Sequence, residues 1–271
     1  MANAETRFDR DTAVTQLGPG RYQGRIDTGW WIINGPNGGY IAAILLRALL
    51  AEVADPLRAP RSLTTHYLRP PAEGPIEIHT VTERSGRSLT TVSARMFQGD
   101  KLMAIALGAF ALARKGFEFV DRVMPALPPP EATVRIRDAS PNTVELQRRY
   151  DSRLGLGEPF GSGGKQALVG GWIRMEEPRL VDALAVAAFT DSFPPAVFTR
   201  AGPADSIGPV PTIDLTIHFR TTLPLPNAGP ADRCAVVFTS TAAREGFIEE
   251  DSEVWSESGV LLAQSRQLAL V

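Results

Sequence analysis

The chain reads as an α+β protein in which an antiparallel sheet wraps a central helix, and in which that arrangement occurs twice. Three observations carry this reading. An apolar run of helix length follows a glycine-rich turn at Gly38-Gly39, alternating segments of strand length come after it, and the same order of elements recurs in the second half.

Residues 1 to about 15 are polar and predict a loosely held start. Gly20 to Ile26 and Trp30 to Ile33 predict short strands, with turns at Gly18-Pro19-Gly20 and Thr28-Gly29. The turn at Asn34-Gly35-Pro36-Asn37-Gly38-Gly39 opens into Tyr40 to Val53, which is apolar on nearly every side and therefore predicts a buried helix. Such a helix needs a wrapping. Residues 62–69, 76–83, 89–97 and 102–110 supply it: they are rich in Thr and Val, alternate in polarity, and are separated by turns containing Pro70-Pro71, Gly86 and Gly99. A sheet curled around one helix is the hotdog arrangement.

Met124-Pro125-Ala126-Leu127-Pro128-Pro129-Pro130 can continue neither a helix nor a central strand, so residues 114–142 predict an extended linker. Beyond it, 143–153 and 170–176 predict strands, Pro178 to Phe193 a helix stopped by Pro194 and Pro195, and 212–220, 234–241, 247–256 and 260–271 further strands. Leu63-Thr64-Thr65-His66-Tyr67-Leu68-Arg69 matches Asp214-Leu215-Thr216-Ile217-His218-Phe219-Arg220 in pattern. The expected organisation is a tandem (double) hotdog: an N-terminal unit over 1–113, the linker over 114–142 and a C-terminal unit over 143–271.

With 271 residues, 44% of them hydrophobic and 21% charged, the chain can bury a sizeable core, and its net charge of −2 argues against a nucleic-acid partner or an anionic membrane surface. The single cysteine, Cys234, excludes an internal disulfide framework and a cysteine-based zinc site. No apolar stretch approaches the ~18 residues a membrane span requires, and charges occupy the place of a signal peptide's apolar region, so a cytoplasmic protein is expected. There is no phosphate loop, dinucleotide fingerprint or Gly-x-Ser-x-Gly elbow, and His66, His79 and His218 are scattered through strand patterns. Neither a cofactor nor a metal is called for, and hydrolysis through a serine, cysteine or metal is disfavoured.

What remains is acid-base chemistry without a covalent nucleophile. Leu184, Ala187, Ala188 and Asp191 fall at i, i+3, i+4 and i+7, which sets a carboxylate on an apolar stripe near a helix C-terminus. Such a group is paired, shifted in pKa, put to use, or turned out to solvent. At the start of the first helix, the amides of Gly38, Gly39 and Tyr40 could polarise a carbonyl; alternatively the glycines only make a tight turn.

Gly38-Gly39 before the buried helix, Leu68-Arg69-Pro70, Gly86-Arg87-Ser88, Phe189-Thr190-Asp191-Ser192, Thr212-Ile213-Asp214 and Val260-Leu261-Leu262-Ala263-Gln264-Ser265-Arg266-Gln267 resemble, in order and spacing, the double-hotdog acyl-CoA thioesterases of the bacterial thioesterase II type. The resemblance implies hydrolysis of acyl-CoA to fatty acid and CoA, with Asp191, Thr212 and Gln267 binding the attacking water. A slip of register would replace Thr212 by Thr216 or Gln267 by Gln264. Gly38, Gly39 and Tyr40 would then hold the thioester oxygen, and Arg87, with Arg69, Arg84 and Arg220, is a candidate for the CoA phosphates. The resemblance also implies a homodimer or larger homo-oligomer. Two rivals use the same fold: a non-catalytic acyl-ligand binder, and a hydratase whose histidine five residues after its Asp would fall on Ala196.

Overall fold

The apolar run that opens at Gly38 is one helix, and the first half of the chain is laid around it. In the computed structural model, which describes residues 5–139, 143–205 and 207–271, that half runs α1 (Arg7–Asp11), β1 (Thr15–Gly18), β2 (Arg21–Ile26), α2 (Gly38–Val53), β3 (Ala59–Tyr67), β4 (Gly74–Ser85), β5 (Leu89–Gln98) and β6 (Lys101–Ala111). The second half runs β7 (Val134–Arg135), α3 (Ile136–Ala139), β8 (Arg153–Leu156), β9 (Ala167–Ile173), α4 (Ala183–Phe189), α5 (Val197–Arg200), β10 (Thr212–Phe219), β11 (Cys234–Ser240), β12 (Ala243–Arg244), β13 (Phe247–Ser256) and β14 (Leu261–Leu270).

The strands form one antiparallel sheet in the order β1-β2-β4-β5-β6-β3-β10-β14-β13-β11-β9-β8-β7, with β12 added beside β13. The sheet wraps α2 in one half and α4 in the other, as the tandem hotdog reading expects. The halves join where β3 pairs with β10, and there the hydroxyls of Thr64 and Thr216 meet at 3.1 Å. That pairing aligns the two segments whose sequences match. Because both central helices are covered, they carry almost no polar surface: Gly39 to Leu46, Ala48 and Leu49 of α2 are buried, as is every residue of α4.

Five expectations are corrected. Of the stretch expected to be loosely held, residues 1–4 lie outside the described residues and the part from residue 5 is held in place: Thr6 and Asp9 cap α1 reciprocally, and Phe8 is buried edge-on against Trp30 at 5.4 Å. Trp30 to Ile33 is not a strand. A 3-10 turn at Thr28–Trp30, capped by Asp27, leads to an isolated bridge between Trp31 and Pro36, so Trp30 can stack on Tyr40. The stretch from 143 holds a 3-10 turn at Glu145–Arg148 and becomes strand only at Arg153, while the linker forms β7 and α3 before residues 140–142, which lie outside the described residues. Its irregular part crosses the outer face of the sheet, where Met124 and Leu127 pack on Trp172 and Trp255.

The fifth correction is to the second helix, which spans seven residues instead of the stretch from Pro178 to Phe193. Asp182 caps its start by accepting from the Ala185 amide at 2.9 Å. At its end the Thr190 and Ser192 hydroxyls donate to the Ala187 and Phe189 carbonyls, each at 2.8 Å, which satisfies the last turn and lets the chain leave the helix. Arg179 secures the N-terminal cap with a two-pronged contact to Asp182 at 2.9 and 2.7 Å, reaches Asp9 at 3.0 Å, and lies over the Phe8 ring. One guanidinium thus ties α1 to α4. Arg179→Ala leaves Asp182 without its cation and Asp9 with only the longer contact to Arg47 at 3.5 Å, and is expected to lower unfolding free energy by about 3 kcal/mol; urea denaturation with an unchanged midpoint would contradict this role.

Candidate active site

Asp191 lies two residues past the end of α4, and its side chain points at the start of α2. Its Oδ2 accepts from the Gly39 amide at 3.0 Å and from Asn37 Nδ2 at 2.8 Å, while the same Asn37 nitrogen donates to the Asp191 carbonyl at 2.6 Å. Asn37 is the N-cap of α2, its Oδ1 accepting from the Tyr40 amide at 3.1 Å. The carboxylate therefore sits where a helix N-terminus favours negative charge. Only glycine permits the approach: a Cβ at Gly39 would stand 2.6 Å from the Ala188 carbonyl oxygen, and one at Gly38 would stand 2.9 Å from Asp191 Oδ2.

The second part of the site is carried by three adjacent strands. On β14, Gln267 stands opposite Leu215 of β10 and opposite Glu250 of β13. Thr212 reaches the same face through a β-bulge: Thr212 pairs with Ala269 and Asp214 with Leu268, so Ile213 is an extra residue that reverses the alternation. The Thr212 hydroxyl donates to Gln267 Oε1 at 2.9 Å, Gln267 Nε2 donates to Glu250 Oε1 at 2.8 Å, and Glu250 Oε2 accepts from the Ala196 amide at 2.6 Å.

Both carboxyls titrate upward. Burial is the largest influence on Asp191 and pushes it up to about 6, against the pull of the Gly39 amide, the Gln267 side chain, the Gly38 amide and Asn37. Burial likewise pushes Glu250 up to about 7; the Ala196 amide and Gln267 draw it down, and the charges of Asp191 and Glu249 raise it further. Across the site, the Tyr67 hydroxyl donates to the Gly38 carbonyl at 2.8 Å, and burial followed by the Asp191 charge holds its phenol well above the usual range.

The structure thus brings Asp191 and Gln267 together, with Thr212 on Gln267. The register alternatives lie elsewhere, since Thr216 pairs with Thr64 and Gln264 accepts from the exposed Arg220. The amides expected to face a substrate carbonyl are otherwise engaged: that of Gly39 by Asp191 and that of Tyr40 by Asn37, with the Tyr40 side chain fully buried and its hydroxyl donating to the Asp11 carbonyl. Gly38 and Gly39 serve the carboxylate. Arg87 is exposed in the β4–β5 turn, whose carbonyls receive Arg58 just beyond the C-terminus of α2, the end of that helix opposite the one Asp191 meets. A cavity of about 510 Å³ along β8, lined in part by Leu154, Phe160 and Val169, includes none of these residues.

Asn37 and Glu250 are site residues that the sequence did not single out. An Asn before Gly-Gly at a helix start is an N-cap signal, and Glu250 shares the parity of Ile248, Ser252 and Val254 on a strand whose other face carries Glu249, Asp251 and Glu253 between Phe247 and Trp255.

Among known families, the model of an acyl-CoA thioesterase N-terminal domain matches residues 27–111, and that of an acyl-CoA thioesterase C-terminal domain matches residues 124–271. The chain belongs to the acyl-CoA thioesterase family. A hot dog protein of unknown function from Alicyclobacillus acidocaldarius superposes with a TM-score of 0.88 at 27% identity, covering 98% of each chain. A candidate thioesterase II from Thermobifida fusca superposes with a TM-score of 0.81 at 28% identity, over 98% of this chain and 97% of that one. The acyl-CoA thioesterase II TesB2 of Mycobacterium marinum, 20% identical over 97% of each chain, shares the fold at a TM-score of 0.76. Comparison with curated proteins finds no match. Thioester hydrolysis is accordingly the activity of this family member, and its acyl-CoA class of substrate follows from the family. Among the described residues, no helix is long and apolar enough to cross a membrane.

The close approach of α2 to α4 gives a sharp test. Gly39→Ala places a methyl group against the backbone of Ala188, which cannot yield as a side-chain tip could, and is expected to cost about 1–3 kcal/mol and to lower turnover by displacing Asp191. Equal melting temperature and equal turnover in the variant would show that the glycine is dispensable.

Proposed function

We propose that this thioesterase hydrolyses acyl-CoA by direct attack of a water held between Asp191, Thr212 and Gln267. The observation that carries the reading is the division of the hydrogen bonds. Asp191 Oδ2 is committed to Asn37 and Gly39, which leaves Oδ1 for a proton. The Thr212 hydrogen is committed to Gln267, which leaves the hydroxyl's lone pairs to accept. One N–H of Gln267 is committed to Glu250 and the other is drawn to Asp191, a contact that a water inserted between them would bridge.

A water between them would donate to Asp191 and to Thr212 and accept from Gln267, with its remaining lone pair directed at the thioester carbonyl. Asp191 takes the proton as the C–O bond forms, and collapse of the tetrahedral intermediate breaks the C–S bond and expels the CoA thiolate, which receives that proton from Asp191 and leaves as the thiol. A carboxyl near 6 suits this task, being ionised at neutral pH yet more basic than an exposed Asp. The products are a free acid and CoA.

Asp191→Asn keeps an acceptor for Gly39 and removes the base, so kcat with a panel of acyl-CoA thioesters, followed by thiol release, is expected to fall about 10²–10⁴-fold. In the wild-type enzyme the rate should fall as pH drops through about 6, where Asp191 gains its proton. Stability should move the opposite way. A carboxyl raised from 3.8 to about 6 binds its proton more tightly in the folded state, so wild-type stability declines as pH rises through that window. Above pH 6 the Asn variant, free of that penalty, is expected to be more stable by at most roughly 3 kcal/mol. Turnover retained by the variant on every thioester would refute the assignment of Asp191.

A further inference from the structure

Gln267 is useful to a water only in one orientation, and its own carboxamide is nearly symmetric in shape, so something must tell its oxygen from its nitrogen. The Thr212 hydroxyl cannot do so, because it can donate to an oxygen or accept from an N–H equally well. Glu250 can. Directly across from Gln267 and 5% exposed, it presents Oε1 to Gln267 at 2.8 Å, while its Oε2 is held by the Ala196 amide at 2.6 Å. An ionised carboxylate only accepts, so turning the carboxamide over would set two oxygens against each other with no hydrogen between them.

We propose that Glu250 is a positioning residue that fixes which end of the Gln267 carboxamide faces Thr212 and which faces the attacking water. The inference rests on the reading of Asp191, Thr212 and Gln267 as the water-holding set. It adds a fourth member that touches neither water nor substrate and acts through Gln267. The Ala196 amide anchors it, so the turn that carries Asp191 out of α4 is also the one that orients Glu250.

Glu250→Gln tests this by reversing polarity at constant shape. The new carboxamide can still accept from the Ala196 amide through its oxygen, but then offers an N–H to Gln267. Gln267 must answer with its oxygen, turning its nitrogen toward Thr212. At pH 8 the expected result is a kcat lower by about 10²-fold, the scale of a misplaced reacting group, with KM within about twofold and melting temperature near wild type. The second arm is the cycle with Gln267→Ala. At pH 8 Asp191 is ionised whether or not Glu250 carries its charge, which leaves Gln267 as the route by which Glu250 acts, so adding Glu250→Gln to Gln267→Ala should leave the kcat of the single Gln267 variant within about twofold.

Wild-type kcat in Glu250→Gln beside a slow Gln267→Ala overturns the positioning role and leaves the water-holding set intact, as does a raised KM at full kcat or a cycle in which the losses multiply. Wild-type kcat in Gln267→Ala overturns the water-holding set itself, and this inference with it. Should Glu250→Gln fail to fold, the question passes to the unaltered enzyme at pH 8. The Gln267 side-chain amide signal, assigned by its loss in Gln267→Ala, should show one proton shifted downfield by its carboxylate partner. Two protons at ordinary positions would overturn the proposal.

Discussion

The contact on which the site depends is the meeting of two helix ends, α2 beginning where α4 has just finished, with the Asp191 carboxylate between them. A carboxylate beyond the C-terminus of α4 is repelled by that helix; the amides at the start of α2 offset the repulsion and add a hydrogen bond from Gly39. Bringing the ends together requires a surface without side chains. On one side this is Gly38-Gly39 and on the other Ala187-Ala188, so that the Gly39 position lies against the backbone of Ala188. Further out, the first turn of α2 is fixed by Trp30 stacked on Tyr40 with ring centres 5.1 Å apart and by the Tyr40 hydroxyl held at Asp11. Burial around this junction makes the carboxyl basic, and the helix amides keep it from becoming too weak an acid to ionise at neutral pH.

The partners of Asp191 arrive by another route, sheet register. β10, β14 and β13 lie side by side, and fixing one pairing fixes the others, since a slip of one residue would send Gln267 to the outer face. The bulge at Ile213 is confined to the end of β10 that faces the site, where it adds Thr212 to the inner row without disturbing Leu215 and Ile217 below. The site therefore combines rigid elements from both halves of the chain: the start of α2 from the first, and the end of α4 with three strands from the second.

Much of this architecture was legible in the residues because it rests on patterns with a clear period. The buried helix after Gly38 and the strands over 59–111 and 212–270 follow from unbroken apolar runs and alternation, and their bounds differ from expectation by a few residues. Legibility fails where local hydrogen bonds override periodicity. The apolar stripe from Leu184 to Asp191 continues past the point at which the Thr190 and Ser192 hydroxyls end α4, so Asp191 occupies the expected face without being helical. The indole of Trp30 is fixed by packing and by its donation to Asp11 at 2.7 Å, neither of which alternation records. Thr212 followed from family resemblance, because alternation along β10 alone puts it on the wrong face. Glu250 escaped notice within Glu249-Glu250-Asp251, where three acids in a row look like a solvated edge although the middle one points inward.

The central claim is that Asp191 activates water and never bonds to the acyl group, and an isotope experiment addresses it directly. With enzyme in excess over acyl-CoA in ¹⁸O-water, a single turnover followed by mass spectrometry of both the released acid and the peptide bearing Asp191 reveals where the oxygen goes. Direct attack predicts one ¹⁸O in the acid and none in the peptide. Label in the Asp191 carboxyl, from an acyl-aspartyl anhydride opened at the aspartyl carbon, or an acyl mass on that peptide after acid quench during the turnover, from an anhydride opened at either carbon, would contradict the account.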